Sequence, residues 1–373
     1  MKNEMISLQK ELMKKYQAKA WEKPLRFWKW DQVIDEIKKP RSVRVSDFLA
    51  CFDHPEDLTR QGVKFYDLSQ ATGIARKKIF VLLNETQEKN KLDLWQMALS
   101  VNQFVVEIPD GVCVELSFCN KIQESWPVII FYCRKGSRFA GVFKFEKNHD
   151  VFSGVSFLFI AEDESELNLA CIDKIEANHH LSVSCFLETQ AKLQLTTFGK
   201  YFSKNHVSFN IFHEARESEA ECIAALSTHA SACTYLKLFS NHERQYASTH
   251  IESRVLAADA SLTHIDGLIR IGAKARFAKT YLDEDVLLLS EQTMVKTIPN
   301  LEILNNEVTA GHSATLGSID PTQLFYLQAR GLTFKQAKTM IAHGFFQPLF
   351  ERIHHPLIRK YFQGEMMSLS AVS

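Results

Sequence analysis

From about residue 100 to about residue 303 the chain keeps a hydrophobic period of two, and almost nothing helical interrupts it. FVVEIPDG, VCVELSF, PVIIFYC, AGVFKFE, GVSFLFI, LSVSCFLE, AKLQLTTF, HVSFNIF, TYLKLF, GLIRIG and LEIL are short β-branched or aromatic runs separated by polar or glycine-containing turns. Alternation of this kind sends successive side chains to opposite faces of a strand. So many short strands without helices between them suggest a sandwich, a barrel or a β-helix. Tight-hairpin signals are nearly absent, since Asp110-Gly111 and Asp266-Gly267 are the only Asp-Gly pairs and no Asn-Gly occurs. Turns such as EDESE and DED are too irregular for a meander of tight hairpins. The balance falls on a β-helix, and a degenerate one, because no strict short repeat is present.

The flanks read differently. Residues 1–95 have apolar residues at helical spacing, as in ISLQKELMKKYQAKAWEK, and form an expected N-terminal helical domain; 96–306 is the β-helix core and 307–373 a C-terminal helical domain. In the first part, Phe27, Trp28 and Trp30 crowd one loop-like stretch and are expected to pin it onto a core. The 44 basic residues balance 44 acidic ones, so no global field draws the chain to nucleic acid or an anionic membrane. MKNEMISLQKELMKK is amphipathic and lacks an apolar signal region, and the longest apolar stretch, near Val151 to Ala161, is too short to span a bilayer. A soluble, cytoplasmic protein is expected. The eight cysteines never form a CxxC, and most are expected to be small buried hydrophobes.

The last part is well punctuated. Asp320, Pro321 and Gln323 suit a capping box, LFYLQAR runs on to Gly331 as a stop, and Thr333 with Gln336 forms a second box. Phe334, Ala337, Met340, Ile341 and Phe345 then share a helical face, while Pro348 and Pro356 are expected to limit further helix to short turns. Such a helical hairpin carries more aromatic surface than two short helices can hide, so part of it must cover the β region or meet a partner.

Before these helices lies VTAGHSATLGSID, a single histidine, His312, among small residues. With its surroundings it carries a resemblance. VLAADASLTHIDGLIRI, VLLLSEQTMVKTIPNLEI and HSATLGSIDPTQLFYLQARGL follow, in order and with fixed spacing over roughly His250 to Ile353, the pattern of the SufB/SufD family, the scaffold subunits of the Suf iron–sulfur cluster assembly machinery. VEIPDGVCVEL matches more loosely. The histidine phrase and the modest length resemble the SufD branch more than SufB.

The resemblance implies a mainly β fold, a right-handed parallel β-helix flanked by helical domains, in a subunit that is not an enzyme. It implies pairing with a SufB-like paralogue through the β-helix, or self-pairing in isolation, and docking of a SufC-like ABC ATPase by the C-terminal helices. Phe325, Tyr326, Arg330, Met340, Ile341, Phe345 and Phe346 become the expected ATPase-docking residues. No tightly bound cofactor is expected in the isolated chain; a transient iron–sulfur cluster, and a reduced flavin, would belong to the complex. His312 occupies the position of the family's interface histidine and is the expected metal-contacting residue, a role suited to imidazole as an iron ligand. The sequence departs from the pattern nearby: Ala310 stands where a cysteine is common, Gly311 and Ser313 exchange the usual serine and glycine, and Asn305-Asn306 replaces an acidic pair. Any thiolate must then come from the partner chain. His250, His264, His343 and the His354-His355 pair read as surface or packing residues.

The alternative is a β-helix enzyme acting on a carbohydrate or another small substrate. It would need paired carboxylates on one face, and Glu302 has no evident partner. A self-sufficient iron–sulfur protein would need clustered ligands, and no Walker A, GxGxxG or GxSxG phrase is present.

Overall fold

The computed structural model describes residues 2–20, 43–84, 91–100, 102–119, 126–146 and 152–370, so the loop with Phe27, Trp28 and Trp30 lies outside the described residues. Helices α1 (Lys2–Ala18), α2 (Val45–Leu49), α3 (Pro55–Arg60), α4 (Gly73–Asn84) and α5 (Lys91–Leu99) come first, with strand β1 (Lys64–Asp67) among them. The even strands β2 (Gln103–Ile108), β4 (Val128–Cys133), β6 (Phe152–Ala161), β8 (Asn178–Leu187), β10 (Lys204–His213), β12 (Cys233–His242), β14 (Leu262–Ile271) and β16 (Met294–Ile303) stack in sequence order into one sheet. The odd strands β3 (Cys113–Cys119), β5 (Arg138–Glu146), β7 (Glu166–Lys174), β9 (Lys192–Tyr201), β11 (Glu219–Thr228), β13 (Ser248–Ala257), β15 (Lys279–Leu288) and β17 (Thr309–Ser318) stack into another. Each of these strands pairs in parallel with the strand two ahead, so the chain is a parallel β-solenoid of about 7 turns. Gln103 lies beside Val128 and Leu262 beside Met294, so a turn consumes between 25 and 32 residues, which is why no strict repeat is legible.

The solenoid's interior is one apolar core. Its early turns are filled by stacked phenylalanines, with Phe131 over Phe159 at 4.9 Å between ring centres and Phe143 against Phe157 at 4.7 Å. Outward faces are covered too: helices α1, α4 and α5 pack on the even sheet through Leu12, Ile79, Leu94 and Met97, against Ile130, Leu158 and Ile160. That double covering makes β2 and β4 buried along their whole length, whereas β15, beyond most of the cover, alternates.

The turns explain the missing hairpin signals. Between each even strand from β2 to β14 and the next odd one, a single residue takes the left-handed conformation: Gly111, Gly136, Glu164, Gln190, Glu217, Tyr246 and Phe277. Each donates its backbone N–H to the carbonyl of the corresponding turn one level on, from Gly136 to Asp163 (2.9 Å), Glu164 to Thr189 (2.8 Å) and onward to Phe277 and Glu307 (2.6 Å). Stacking neighbours, not glycine, hold these turns. A non-glycine residue there costs about 1 kcal/mol, offset by a backbone bond that a lone hairpin does not have.

Helices α6 (Pro321–Ala329), α7 (Phe334–Glu351) and α8 (Pro356–Ser370) follow the solenoid. The Thr333–Gln336 capping box is formed, and the Asp320 side chain accepts from the Thr322 N–H. Pro348 does not end the helix: it lies inside α7, and Pro356 opens a third helix of 15 residues instead of a short turn. An interior proline costs about 3 kcal/mol, but Phe346, Leu349 and Phe350 around it are buried against the odd sheet, with Phe198 and Phe362 at 4.0 Å in the same layer. That packing outweighs the lost backbone bond. Among the described residues no helix is long and apolar enough to cross a membrane.

Candidate functional site: the open end of the solenoid

The two ends of the solenoid differ. At the start, Phe48 of α2 stacks on Phe104 at 4.1 Å, Phe52 meets Phe118, and β1 closes the even sheet as an antiparallel strand. At the other end, β16 and β17 are the outermost strands of their sheets, and no described strand pairs beyond them. The division expected at residue 306 would give β17 to the C-terminal helices; the strand belongs to the last turn, and VTAGHSATLGSID is strand for most of its length. The DED motif read as a turn likewise lies inside β15.

Strand parity fixes what the open end presents. His312 is in register with Leu282, which is buried in the core, and it shares a face with Ala310, two residues earlier, which packs on that core. The imidazole therefore belongs to the inward-facing row of the last strand, yet it is exposed, because no described strand stacks beyond it. Around it, Met294, Ile303, Leu304 and Leu316 are exposed, Leu304 to 70%. Gly311 faces out under the ring of Tyr281, where a Cβ would sit at 3.1 Å, and Ser313 donates to the Asp283 carboxylate. The exchanged glycine and serine thus fit outward neighbours and leave His312 in place. Asn305 shapes the preceding turn, donating to the Ala273 carbonyl and accepting from the Glu307 N–H, both at 2.8 Å.

One strand below, on the same inward face, sits Glu284. It is fully buried, its Oε2 accepts from the Thr297 hydroxyl of β16, and its Oε1 has no partner. Burial pushes its carboxyl up to about 7, partly countered by the Thr297 bond. Gly267 of β14 makes the space, since a Cβ there would fall 2.1 Å from Oε1. The sequence signal was present: Leu282, Glu284 and Val286 share a face, and the acid is the odd member.

Other polar groups are buried away from the end. His213 and His242 stack at 4.2 Å inside the solenoid, held by Ser218, Thr249 and Ser240. Outside the even sheet, Asp93 of α5 lies 3.2 Å from His180 Nε2, and His180 Nδ1 lies 2.9 Å from His206 Nδ1. This is the one metal-ligand-type grouping among the described residues. Protons on His180 Nε2 and His206 Nδ1 complete it as an Asp–His–His relay joining α5 to the solenoid.

The expected docking residues divide. Phe325, Tyr326, Arg330 and Met340 are exposed, Phe325 to 72%, and Arg330 lies over the Tyr326 ring at 5.1 Å. Ile341 and Phe345 are half-buried, and Arg254 stands 5.4 Å from the Phe345 ring. Phe346 is fully buried, so it holds α7 to the sheet instead of presenting a surface. Phe334, not among them, is also exposed on α7, with Lys338 over its ring at 4.9 Å.

The remaining histidines are occupied structurally: His250 contacts Arg352, His264 stacks at 5.3 Å on Tyr235, and His354 donates its backbone N–H to Gln194. His355 lies 3.8 Å from Glu115, and His343 is half-buried on α7. Glu302 is paired with Arg270 at 2.6 Å. A groove of about 580 Å³ on the odd sheet's outer face contains Glu221 and His250, but Arg352 ties both, which leaves no free acid–base pair between them. Cys51, Cys133, Cys171, Cys185 and Cys222 are buried and Cys113 is exposed; burial pushes the Cys222 thiol up to about 12.

A family model described as "SUF system FeS cluster assembly, SufBD core domain" matches residues 120–345. A stretch of 112 residues is 30% identical to the iron-sulfur cluster assembly SufBD family protein of Staphylococcus saprophyticus, covering 30% of this chain and 24% of that protein. The namesake from Staphylococcus aureus strain USA300 is 29% identical with the same coverage. The match thus spans about a quarter of the length of these curated relatives.

Proposed function

The chain belongs to the SufBD family of iron–sulfur cluster assembly proteins, and from that membership we propose that it is a non-catalytic scaffold subunit, pairing with a SufB-like paralogue through the open end of its solenoid. The observation that carries this reading is the asymmetry of the ends. One is closed by α2 and β1, while the other exposes Ile303, Leu304 and Leu316 beside two strand edges. Solenoids need caps, and an uncovered edge is a template for another chain. A second subunit supplies both. The iron–sulfur cluster is cargo in this reading, held transiently near His312, with thiolate ligands and a reduced flavin contributed by the assembled complex.

The exposed side chains Phe325, Tyr326, Phe334 and Met340 support docking of a SufC-like ATPase by α6 and α7. Deleting everything after Asp320 would be a poor test, because it also strips cover from Val142, Phe198 and Ile223. Native mass spectrometry of the chain co-expressed with SufB-like and SufC-like partners, beside a Phe325→Glu/Met340→Glu variant, is the better one. A heteromeric complex that loses one ATPase copy in the variant supports both contacts. A chain that stays alone in every mixture removes the scaffold reading.

A further inference from the structure

We propose that Glu284 is a proton-operated latch on the last turn of the solenoid: protonated, it seals β16 and β17 onto the stack, and ionised, it releases them. Its carboxyl lies in the interior between the two sheets. The Thr297 hydroxyl ties one oxygen to β16, while the other faces Gly267 of β14 and has no hydrogen-bond partner. Among the described residues a neutral hydroxyl is thus its one donor, so the buried carboxyl is tolerated when neutral and costly when charged. The charged groups around it add to that cost. Asp266 of β14 and Asp283 of β15 both push its carboxyl up. Glu252 and Arg254 of β13, Asp285 of β15 and Lys296 of β16 occupy outward-facing positions, with a sheet between them and the carboxyl. His312 of β17 faces inward, but it stands two positions from Ala314, the residue in register with Glu284.

The last turn is where such a charge finds water. Strands β10, β12 and β14 are buried at most positions, whereas β16 and β17 contain no buried residue, and no described strand stacks beyond them. Pro299 of β16, in register with Gly267 beside the carboxyl, brings no N–H to the ladder. Lifting β16 and β17 therefore solvates Glu284 while breaking few buried contacts, as in local openings of low free energy. The strands that lift carry Ile303 and Leu316, so the latch sets whether the end surface is ordered.

A bearing on pairing rests on the scaffold reading, while the latch rests on the fold alone. The test is hydrogen exchange of the full chain between about pH 5 and pH 8, corrected for intrinsic rates, beside Glu284→Gln, which keeps the shape without a titrating group. The carboxyl rises from 4.5 in the unfolded chain to about 7 in the folded one. The closed turn therefore holds the proton that the opened turn loses, and stability is lost as pH rises through this window. The opening constant of β16 and β17 should climb by up to about tenfold per pH unit between about 5 and 7 and level off above. Strands β6 to β10 should not follow, and Glu284→Gln should give a flat profile. Glu284→Leu, an apolar filling of similar volume, should be flat as well and serves where the amide unsettles the core; melting temperatures verify that both variants fold. A flat profile in the parent, an unchanged climb in the folded variants, or a climb shared equally by β6 to β10 overturns the proposal. Pairing with a SufB-like paralogue is scored separately by native mass spectrometry: a parent that never pairs removes the scaffold reading and leaves the exchange result standing.

Discussion

Arg352, at the end of α7, drives its guanidinium onto Glu221 of β11, with Nε at 2.8 Å and Nη2 at 2.5 Å from the same carboxylate oxygen. The other arm reaches Glu252 at 2.7 Å, and both Nη atoms contact the His250 ring. The Arg352 carbonyl accepts from Gln194, so one residue at the bend between α7 and α8 is tied to β9, β11 and β13.

Arg352→Ala leaves two carboxylates facing each other over a half-covered surface. Arg352 and Glu221 are partly exposed, and the buried Glu252 keeps Arg254 at 3.0 Å, so the loss is about 2 kcal/mol rather than that of a fully buried pair. Hydrogen exchange of α7 and α8 should accelerate while that of β2 to β6 stays unchanged. Equal acceleration throughout would mean that the staple stabilises the whole solenoid and not the docked helices.

Gly267→Ala tests the space around Glu284. The added Cβ would lie 2.1 Å from Glu284 Oε1 and 2.6 Å from Leu282 Cδ2. Forcing these apart in a filled core costs about 1–3 kcal/mol. In the Glu284→Ala background most of the penalty should vanish, so a double-mutant cycle on melting temperature should show strong coupling. Additive losses would place the clash at Leu282 alone.

The left-handed turns give a prediction of opposite sign. Glu164 has φ 59°, where glycine relieves Cβ crowding, and among the described residues it is ion-paired with the exposed Lys135 at 3.3 Å. The backbone bond to Thr189 does not involve the side chain. Glu164→Gly should stabilise by about 0.5–1 kcal/mol, read as a raised melting temperature. Tyr246→Gly should not, because Tyr246 stacks on Phe277 at 5.0 Å.

These residues show where the sequence was readable. Period-two alternation identified most strands, and the Thr333–Gln336 box marked the start of α7, because both signals are local. EDESE reads as a turn, but nothing local marks Glu164, Gln190 or Glu217 as a left-handed residue, since their conformation is held by carbonyls 25 to 28 residues away. Pro348 reads as a stop because its surroundings argue for one; only burial of Phe346 and Phe350 against a distant sheet reverses that. The end site was half legible. His312 stood out by its phrase, while Glu284 passed as part of a turn, although its parity with Leu282 and Val286 puts it on the buried face.

The His213–His242 pair predicts the acid limb of stability. Both rings are fully buried, held by Ser218, Thr249 and Ser240. Burial holds His213 well below the ordinary histidine range, helped by His242 beside it, and lowers His242 to about 3. In the unfolded chain both take up protons below about pH 6.5, whereas the folded pair stays neutral. The unfolded state therefore binds more protons, and stability falls as pH drops from 6.5 toward 3, by up to about 1.4 kcal/mol per pH unit for each histidine. Glu284, raised to about 7, contributes with the opposite sign between its unfolded value of 4.5 and 7, so the pair is isolated by comparing variants. Urea midpoints at pH 7, 6 and 5 should decline less steeply for His242→Gln than for the parent. Parallel slopes would mean that His242 takes up its proton in the folded chain as readily as in the unfolded one.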